Sequence, residues 1–557
     1  MASPLLLTSA TVVFTTFIFF VYRLRVRSSQ IRRDAEAEKP KYHELDASFS
    51  EPALRLRAKL IAALPASIIS PEDARSFEAS MNSYWAQQAC EIPPVCVIQP
   101  RSTQELCQAV KILKSDFDER CRTDGSRNST AHGIFAVRSG GHSPVAGASS
   151  IKGGALVDLT YFNEVTPASD GKSVAIGAGC KWVQVYEALQ EKGLAVAGGR
   201  NSAVGVGGLI LGGGLSFFSP RFGMVCSNVI EYEIVLADGS AVRASETANP
   251  DLWRVLKGGA NNFGIVTRFV VRSFPSGSIW SGFLYMPSSQ APKVLASFRG
   301  FLDRVVSDDE GKVYDEHAAG PLACFTYLQA LGIQAIAVAL THTKTPEGGK
   351  TWPACWQSSG LPKLWRFWST CSVKSLPAAT DEMSVLNPPG RRQKFATTTI
   401  KNDQATLEAA HQAYRDAITS IREQNIKNMS WTLVLQPMLP DWARKGNPNV
   451  LGLDTSTDEP LVNVSFTVNW ALAKDDEMVQ RITRAAIEQI DAFATEHGTG
   501  HRYRYINYCD SWQRPFDGYG QDNLEFMKVV SRKYDPDGLF QRGCAGGFKL
   551  GLCDGGR

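Results

Sequence analysis

The spacing of apolar residues changes period several times along the chain, and each period predicts an element. Leu106, Val110 and Leu113 recur at helical spacing, which predicts a helix over Thr103 to Leu113. Trp182, Val185, Tyr186 and Leu189 predict an amphipathic helix between Lys181 and Lys192, stopped by Gly193. The apolar runs Ile134–Val137, Ala155–Leu159 and Val174–Ile176 are too short for helices and read as strands. Ile230–Ala237, the turn Asp238-Gly239 and Ala241–Ala244 predict a hairpin. Residues 51–275 are therefore an α/β region. Glycine thins out over 276–500. Strands are expected there at Gln334–Leu340, Ser430–Leu435 and the alternating Leu461–Trp470, with long helices at Glu408–Gln424 and Asp476–Glu496. That α+β pattern suits a substrate-binding domain. Residues 501–557 return to aromatic- and glycine-containing motifs and are expected to fold back onto the first domain.

The N-terminus has a different pattern. Pro4 to Tyr22 contains no charged residue, and Leu, Val, Phe and Ile dominate. This is about the length of a membrane-spanning helix. Arg23, Arg25, Arg27, Arg32 and Arg33 follow it. A cleaved signal peptide carries its positive charge before the apolar run and a small-residue site after it. The reversed order predicts a retained anchor over 4–22, a linker over 23–50, and a single-pass membrane protein facing the cytosol. A secreted or lumenal chain after signal cleavage is the alternative.

Composition narrows the function classes. The chain has 557 residues, 44% hydrophobic and 20% charged, which suits a globular protein. A net charge of +4 is small for this length and gives no reason to expect nucleic acid as a partner. Twelve cysteines are scattered, with no C-x-x-C pair, so no metal site is expected. Sequons stand at Asn128, Asn428 and Asn463. Nothing in the pattern specifies an oligomer.

Three glycine-rich segments carry the chemistry. The first is Arg138-Ser139-Gly140-Gly141-His142-Ser143, which ends a strand in a small-residue turn and continues to Gly147. The second runs from Gly198 to Gly214 and the third from Lys257 to Thr267. Glycine lets backbone N–H groups approach a ligand that a Cβ would keep away. A Rossmann loop does not fit, because G-x-G-x-x-G counted from Gly205 puts Ile210 at the third glycine. A Walker A loop ending at Gly349-Lys350-Thr351 has Lys344 at its first glycine position. Three such segments in one α/β region predict one long ligand held by backbone amides, as a dinucleotide would be.

These motifs give the chain a family resemblance. Arg138 to Ser143 resembles the flavin-attachment motif of FAD-linked oxidases of the vanillyl-alcohol-oxidase type, in particular the berberine-bridge-enzyme-like branch. Gly198–Gly214 with the following Leu215 to Gly223, and Lys257 to Thr267, resemble the second and third flavin loops of its fungal members. Tyr505-Ile506-Asn507-Tyr508-Cys509-Asp510 and Lys533-Tyr534-Asp535-Pro536 resemble the C-terminal motifs. The resemblance covers about residue 85 to the end. It implies an α+β fold: a two-subdomain PCMH-type FAD-binding domain and an antiparallel-sheet substrate domain, here preceded by the N-terminal membrane helix. It implies FAD attached covalently at His142. It places the cofactor against Arg138, Ser139, Gly140, Gly141, Ser143 and Gly147, against Val204, Gly205, Gly207, Gly208, Gly212, Gly213 and Gly214, and against Gly264, Ile265, Val266 and Asn507. Bicovalent members add a cysteine eight residues before a histidine in the second loop. Asn201 and Leu209 hold those positions here, so a single attachment is expected, with Cys180 and Cys226 not substituting.

The implied reaction is hydride transfer from a substrate C–H to flavin N5, with oxygen or another acceptor reoxidising the flavin. Tyr508 is the implied base and Asn507 a hydrogen-bonding partner of ring or substrate. A free phenol gives up its proton only near pH ~10, so Tyr508 needs positive charge beside it. On a strand, Arg502 and Arg504 would share its face, as would Asp510. The substrate is expected to be a small secondary metabolite. A carbohydrate or alcohol oxidase, and a flavin-binding scaffold that steers a cyclisation without redox turnover, are the alternatives.

Overall fold

Each apolar run marked as a strand joins one of three sheets. The computed structural model describes residues 49–123, 133–306, 315–346, 352–453, 458–544 and 546–551. The first sheet has the order Ile68–Ile69, Cys96–Ile98, Ala155–Asp158, Phe135–Arg138, and its last three strands are parallel. Cys96–Ile98 and residues 155–157 are apolar and buried at every position, the pattern of strands covered on both faces. The helix Thr103–Thr123 lies against this region with Leu106, Val110, Leu113 and Phe117 buried.

The second sheet is antiparallel, with Ile265–Pro275 between Ser173–Gly177 and Val229–Val235. The hairpin expected after Ile230 forms as Val229–Val235 paired with Ala241–Ser245. The third sheet is nine-stranded and antiparallel, built between Ile279 and His501. Its long strands run in the order Ile279–Pro287, Ile333–His342, Ala318–Leu328, Ser430–Met438, Leu461–Trp470, Arg392–Lys401. Strand alternation divides its residues between two faces. Phe325, Leu433, Phe466 and Ala396 are register neighbours, all at most 1% exposed. Phe325 meets His411 and Tyr414 of the helix Gln404–Glu423, so this row faces the helical layer. Burying each large apolar side chain there contributes roughly 1.5–3 kcal/mol. The neighbouring row, Cys324, Val434 and Ser465, faces the other way, toward the first two sheets.

The C-terminal segment closes the structure. Gly543 accepts the backbone hydrogen bond of Ile134, and the Asn262 side chain donates to the Phe548 carbonyl.

The membrane expectation is corrected. No helix among the described residues is long and apolar enough to cross a membrane. The 21-residue helices Thr103–Thr123 and Asp476–Glu496 bury one face and carry charged residues on the other, which is the pattern of a helix packed on a sheet. The anchor expected over 4–22 lies outside the described residues, as does the sequon at Asn128. The sequon at Asn463 is closed in the folded chain. Its side chain is fully buried and donates to Thr397 Oγ1 at 2.8 Å.

The first sheet has one buried ion pair. Arg138 Nη2 donates to Asp158 Oδ2 at 2.7 Å, and Arg138 also donates to the Ser80 carbonyl and hydroxyl. The Tyr84 ring lies against the guanidinium at 4.4 Å. Removing one charge leaves the other buried without compensation, which typically costs about 3–5 kcal/mol. Asp158→Asn should therefore lower the free energy of unfolding, read from a denaturant titration, by an amount in that range. An unfolding free energy within about 1 kcal/mol of wild type would show that the pair contributes little.

Candidate active site

A cavity of about 400 Å³ separates the first two sheets from the third. The turn after Phe135–Arg138 and the short helix Val206–Leu211 form one wall. Phe283, Leu322, Phe395, Val434, Gln436, Ser465 and Thr467 of the third sheet form the opposite one.

The glycines on the first wall have two different jobs. At Gly140 a Cβ would stand 2.5 Å from the Gly205 Cα, and at Gly205 one would stand 2.4 Å from the Gly140 nitrogen. Here two loops touch backbone to backbone. Ser139 Oγ seals the contact by donating to the Ala178 carbonyl at 2.6 Å and accepting from Gly207 N. Gly208 is different: a Cβ there would meet nothing within 4 Å, because the residue faces the cavity. A Cβ at Gly212 would fall 2.2 Å from Asn507 Oδ1. Asn507 spans this point and donates to the Leu209 carbonyl at 3.2 Å and to Tyr505 Oη at 3.1 Å.

His142 opens onto the cavity while lying deep in the molecule. Its imidazole stacks on Trp85 with centroids 4.2 Å apart and planes 9° from parallel. Burial, with Lys181 nearby adding to it, pushes its pKa down to about 3. The imidazole is therefore neutral at physiological pH, with a lone pair free for bonding. Ring contacts lead across the cavity from Trp85 to Phe395 at 5.4 Å and from Phe395 to Tyr508 at 5.4 Å.

The cation beside Tyr508 is not one the strand argument chose. Ile506–Tyr508 is a 3₁₀ turn, so strand parity does not apply. Arg504 turns away to Asp491 and to the His501 and Tyr503 carbonyls, and Asp510 pairs with Lys394. Arg200 of the second glycine segment supplies the charge. Its Nη2 donates to Tyr508 Oη at 3.2 Å and to Gln436 Oε1 at 2.7 Å. The Gln436 amide nitrogen is buried and has no hydrogen-bond partner among the described residues.

Most of the residues expected from sequence converge on the cavity. Ser139, Gly140, Gly141, His142, Ser143, Val204, Gly205, Gly207, Gly208, Gly212, Gly264, Ile265, Val266, Asn507 and Tyr508 all line it. Arg138, Gly147, Gly213 and Gly214 do not. Arg138 is held in its buried ion pair. At Gly213 and Gly214 the positive φ serves the turn, where the chain packs on Leu451 and Val225. Trp85, Arg200, Phe395 and Gln436 escaped the sequence reading. Only Arg200 carried a local signal, its place inside a glycine-rich segment. Cys180 and Cys226 lie off the cavity as buried thiols, pushed up by burial to about 11 and about 12.

The walls fit a dinucleotide: backbone-lined at Gly208, where a side chain would intrude, and apolar opposite. A family model described as FAD binding domain matches residues 94–245. The chain is 33% identical over 484 residues to FAD-dependent monooxygenase sdcF of Emericella nidulans, covering 85% of this chain and 94% of that protein. It is 32% identical over 480 residues to FAD-dependent monooxygenase tpcD of Cochliobolus heterostrophus, covering 84% and 87%. The chain belongs to the fungal FAD-linked oxidases of this superfamily. It is an FAD-dependent oxidoreductase. The fold agrees with glucooligosaccharide oxidase of Acremonium strictum (TM-score 0.65, 18% identity, covering 89% of this chain and 98% of that one). It agrees equally with BBE-like 1 of Physcomitrella patens (TM-score 0.65, 18% identity, 87% and 97%).

The two kinds of glycine should respond differently to substitution. Gly205→Ala pushes apart backbone that cannot yield, so both the thermal midpoint and the flavin content should fall. Gly208→Ala meets no protein atom, so the apoprotein should keep its midpoint while flavin content falls. Equal behaviour of the two variants in a thermal melt and a flavin absorbance measurement would contradict this division.

His142 also gives a pH signature. Its folded pKa, about 3, lies below the ordinary 6.5, so the unfolded chain binds the extra proton between those values. Stability of the apoprotein should fall as pH drops below about 6.5. Melting His142→Ala apoprotein across the same range should show a smaller loss. An unchanged loss would mean that His142 is not held neutral.

Proposed function

We propose that this FAD-dependent oxidoreductase oxidises a small, largely apolar alcohol or phenol of secondary metabolism, with FAD attached once, at His142. The Arg200–Tyr508 pair facing an apolar wall carries the reading. When bound, FAD would supply the redox chemistry, as the acceptor for a hydride from a substrate C–H. The protein supplies orientation and proton handling. Gly208 would leave room for the cofactor on this wall, while Ser139, Gly140, Gly205 and Gly207 fix the loop junction beside it. Asn507 is tied to the Leu209 carbonyl and supports the same wall.

Tyr508 Oη takes the substrate's hydroxyl proton. To act as base Tyr508 first releases its own phenolic proton to solvent, and the Arg200 guanidinium, 3.2 Å away, stabilises the phenolate that results. Gln436 Oε1 accepts from the same guanidinium at 2.7 Å and so fixes the cation beside Tyr508. Phe283, Leu322, Met383 and Phe395 exclude water from the reacting carbon. This apolar lining supports an aromatic or aliphatic substrate over a sugar.

A second attachment has no support from the cysteines. The solved glucooligosaccharide oxidase is described as carrying 6-S-cysteinyl, 8α-N1-histidyl FAD. Here Asn201 is at the cavity, with its side-chain oxygen accepting from Ala203 N at 3.0 Å. Cys324 lines the substrate wall as a thiol that burial pushes up to about 12.

Peptide mapping of denatured enzyme should find one flavin, on the peptide containing His142. Flavin on a cysteine, or its complete release on denaturation, would overturn the single attachment. Aromatic and aliphatic alcohols should reduce the flavin anaerobically, and cello-oligosaccharides should not. Tyr508→Phe should slow that reduction by a factor of about 10² to 10⁴ with flavin content unchanged. A wild-type rate would reduce Tyr508 to a packing residue. ¹⁸O from dioxygen should appear in peroxide; its appearance in the organic product would instead mark monooxygenation, the activity in the relatives' names.

A further inference from the structure

Away from the flavin cavity, three chemically reactive side chains meet at one end of the third sheet. Asp315 precedes the strand Ala318–Leu328, His342 ends the strand Ile333–His342, and Cys355 lies in the short helix Ala354–Ser358. One carboxylate oxygen, one ring nitrogen and the sulfur all lie within 4.8 Å of one another. Cys355 is buried, and Asp315 and His342 are largely covered.

The hydrogen bonds give this cluster a direction. His342 Nδ1 is 2.6 Å from the Lys344 carbonyl oxygen, which can only accept, so Nδ1 carries a proton. A neutral imidazole would then present the lone pair of Nε2. Nε2 is 3.0 Å from Asp315 Oδ2, which is also an acceptor when ionised. Two facing acceptors repel unless a cation joins them. The cation is either a second proton on His342 or a metal ion. A ring nitrogen held by a carbonyl on its far side is the usual support of a metal-bound histidine. The thiol of Cys355 addresses the same carboxylate as a hydrogen-bond donor, so its sulfur is the third available ligand.

We propose that Asp315, His342 and Cys355 form a binding site for a zinc-class divalent cation. Sulfur, imidazole and carboxylate together are a borderline-soft donor set that suits Zn²⁺ better than Ca²⁺ or Mg²⁺. Zinc–ligand bonds of about 2.0–2.3 Å place ligand atoms roughly 3–4 Å apart, so the three need only draw together slightly. Cys355 loses its thiol proton to solvent on binding, and water completes four-coordination. The local charge is compatible: Glu316 adds negative charge beside the site, while Arg221, which pairs with Glu316 at 3.5 Å, and Lys344 oppose it. The ion would tie two strand ends to the helix Ala354–Ser358, a structural role separate from flavin chemistry.

The test uses untagged, full-length, flavin-loaded enzyme equilibrated with excess ZnCl₂ and then desalted. Elemental analysis should find about one zinc per chain. Cys355→Ser and His342→Ala should each weaken zinc binding by at least about 100-fold, beyond the roughly 10–100-fold typical of supporting residues. Retained flavin absorbance would show that each variant is folded. Cobalt loading should give a thiolate-to-cobalt charge-transfer band that Cys355→Ser abolishes. Wild-type enzyme without bound zinc after this treatment would overturn the proposal and leave the cluster an imidazolium–carboxylate pair. Zinc held undiminished by folded Cys355→Ser and His342→Ala would overturn it too.

Discussion

The backbone contact between Gly140 and Gly205 is the constraint on which the site depends. It joins the turn after Phe135–Arg138 to the start of the helix Val206–Leu211 at a distance that no side chain permits. Ser139 locks the same junction with its two hydrogen bonds. The position of His142 follows, because it is two residues from the contact. So does the face that Gly208 presents to the cavity. The ion pair Arg138–Asp158 anchors the turn from below, which is why a charged residue stands two positions before the glycine pair.

The second half of the site comes from a sheet that shares no strand with the first two. Its helix-facing row is an ordinary apolar core, and its other row lines the cavity. The chemistry arises where the two halves meet. Arg200 belongs to the glycine-rich wall, Gln436 to the third sheet and Tyr508 to the C-terminal segment, and one guanidinium joins them. Desolvation by both walls strengthens that pairing and keeps His142 neutral. One interface thus sets both the charge beside Tyr508 and the protonation state of His142.

Local periodicity made much of the fold legible. Leu461–Trp470 and Asp476–Glu496 stand where the sequence places them, because alternation and helical spacing report a buried face directly. Ile279–Pro287, Ala318–Leu328 and Arg392–Lys401 were not anticipated. Their threonines, glycines and prolines blur the alternation, and it is pairing with neighbours that settles them as strands. The strand parity invoked for Arg502 and Arg504 failed for a related reason, since a 3₁₀ turn breaks the period at Ile506.

By itself the sequence determined the elements with a clear period, the three glycine segments and, through the family resemblance, FAD as the cofactor. Those features depend on neighbours in the chain or on motifs that keep their spacing. Tertiary structure alone decided which glycines face the cavity and which pack on backbone, since glycine has no side chain to report its surroundings. It alone brought Trp85 to His142, Arg200 to Tyr508, and Asp315 to His342 and Cys355. Residues so far apart in the chain have no shared period, and only sheet register and the packing of loops bring their side chains within bonding distance.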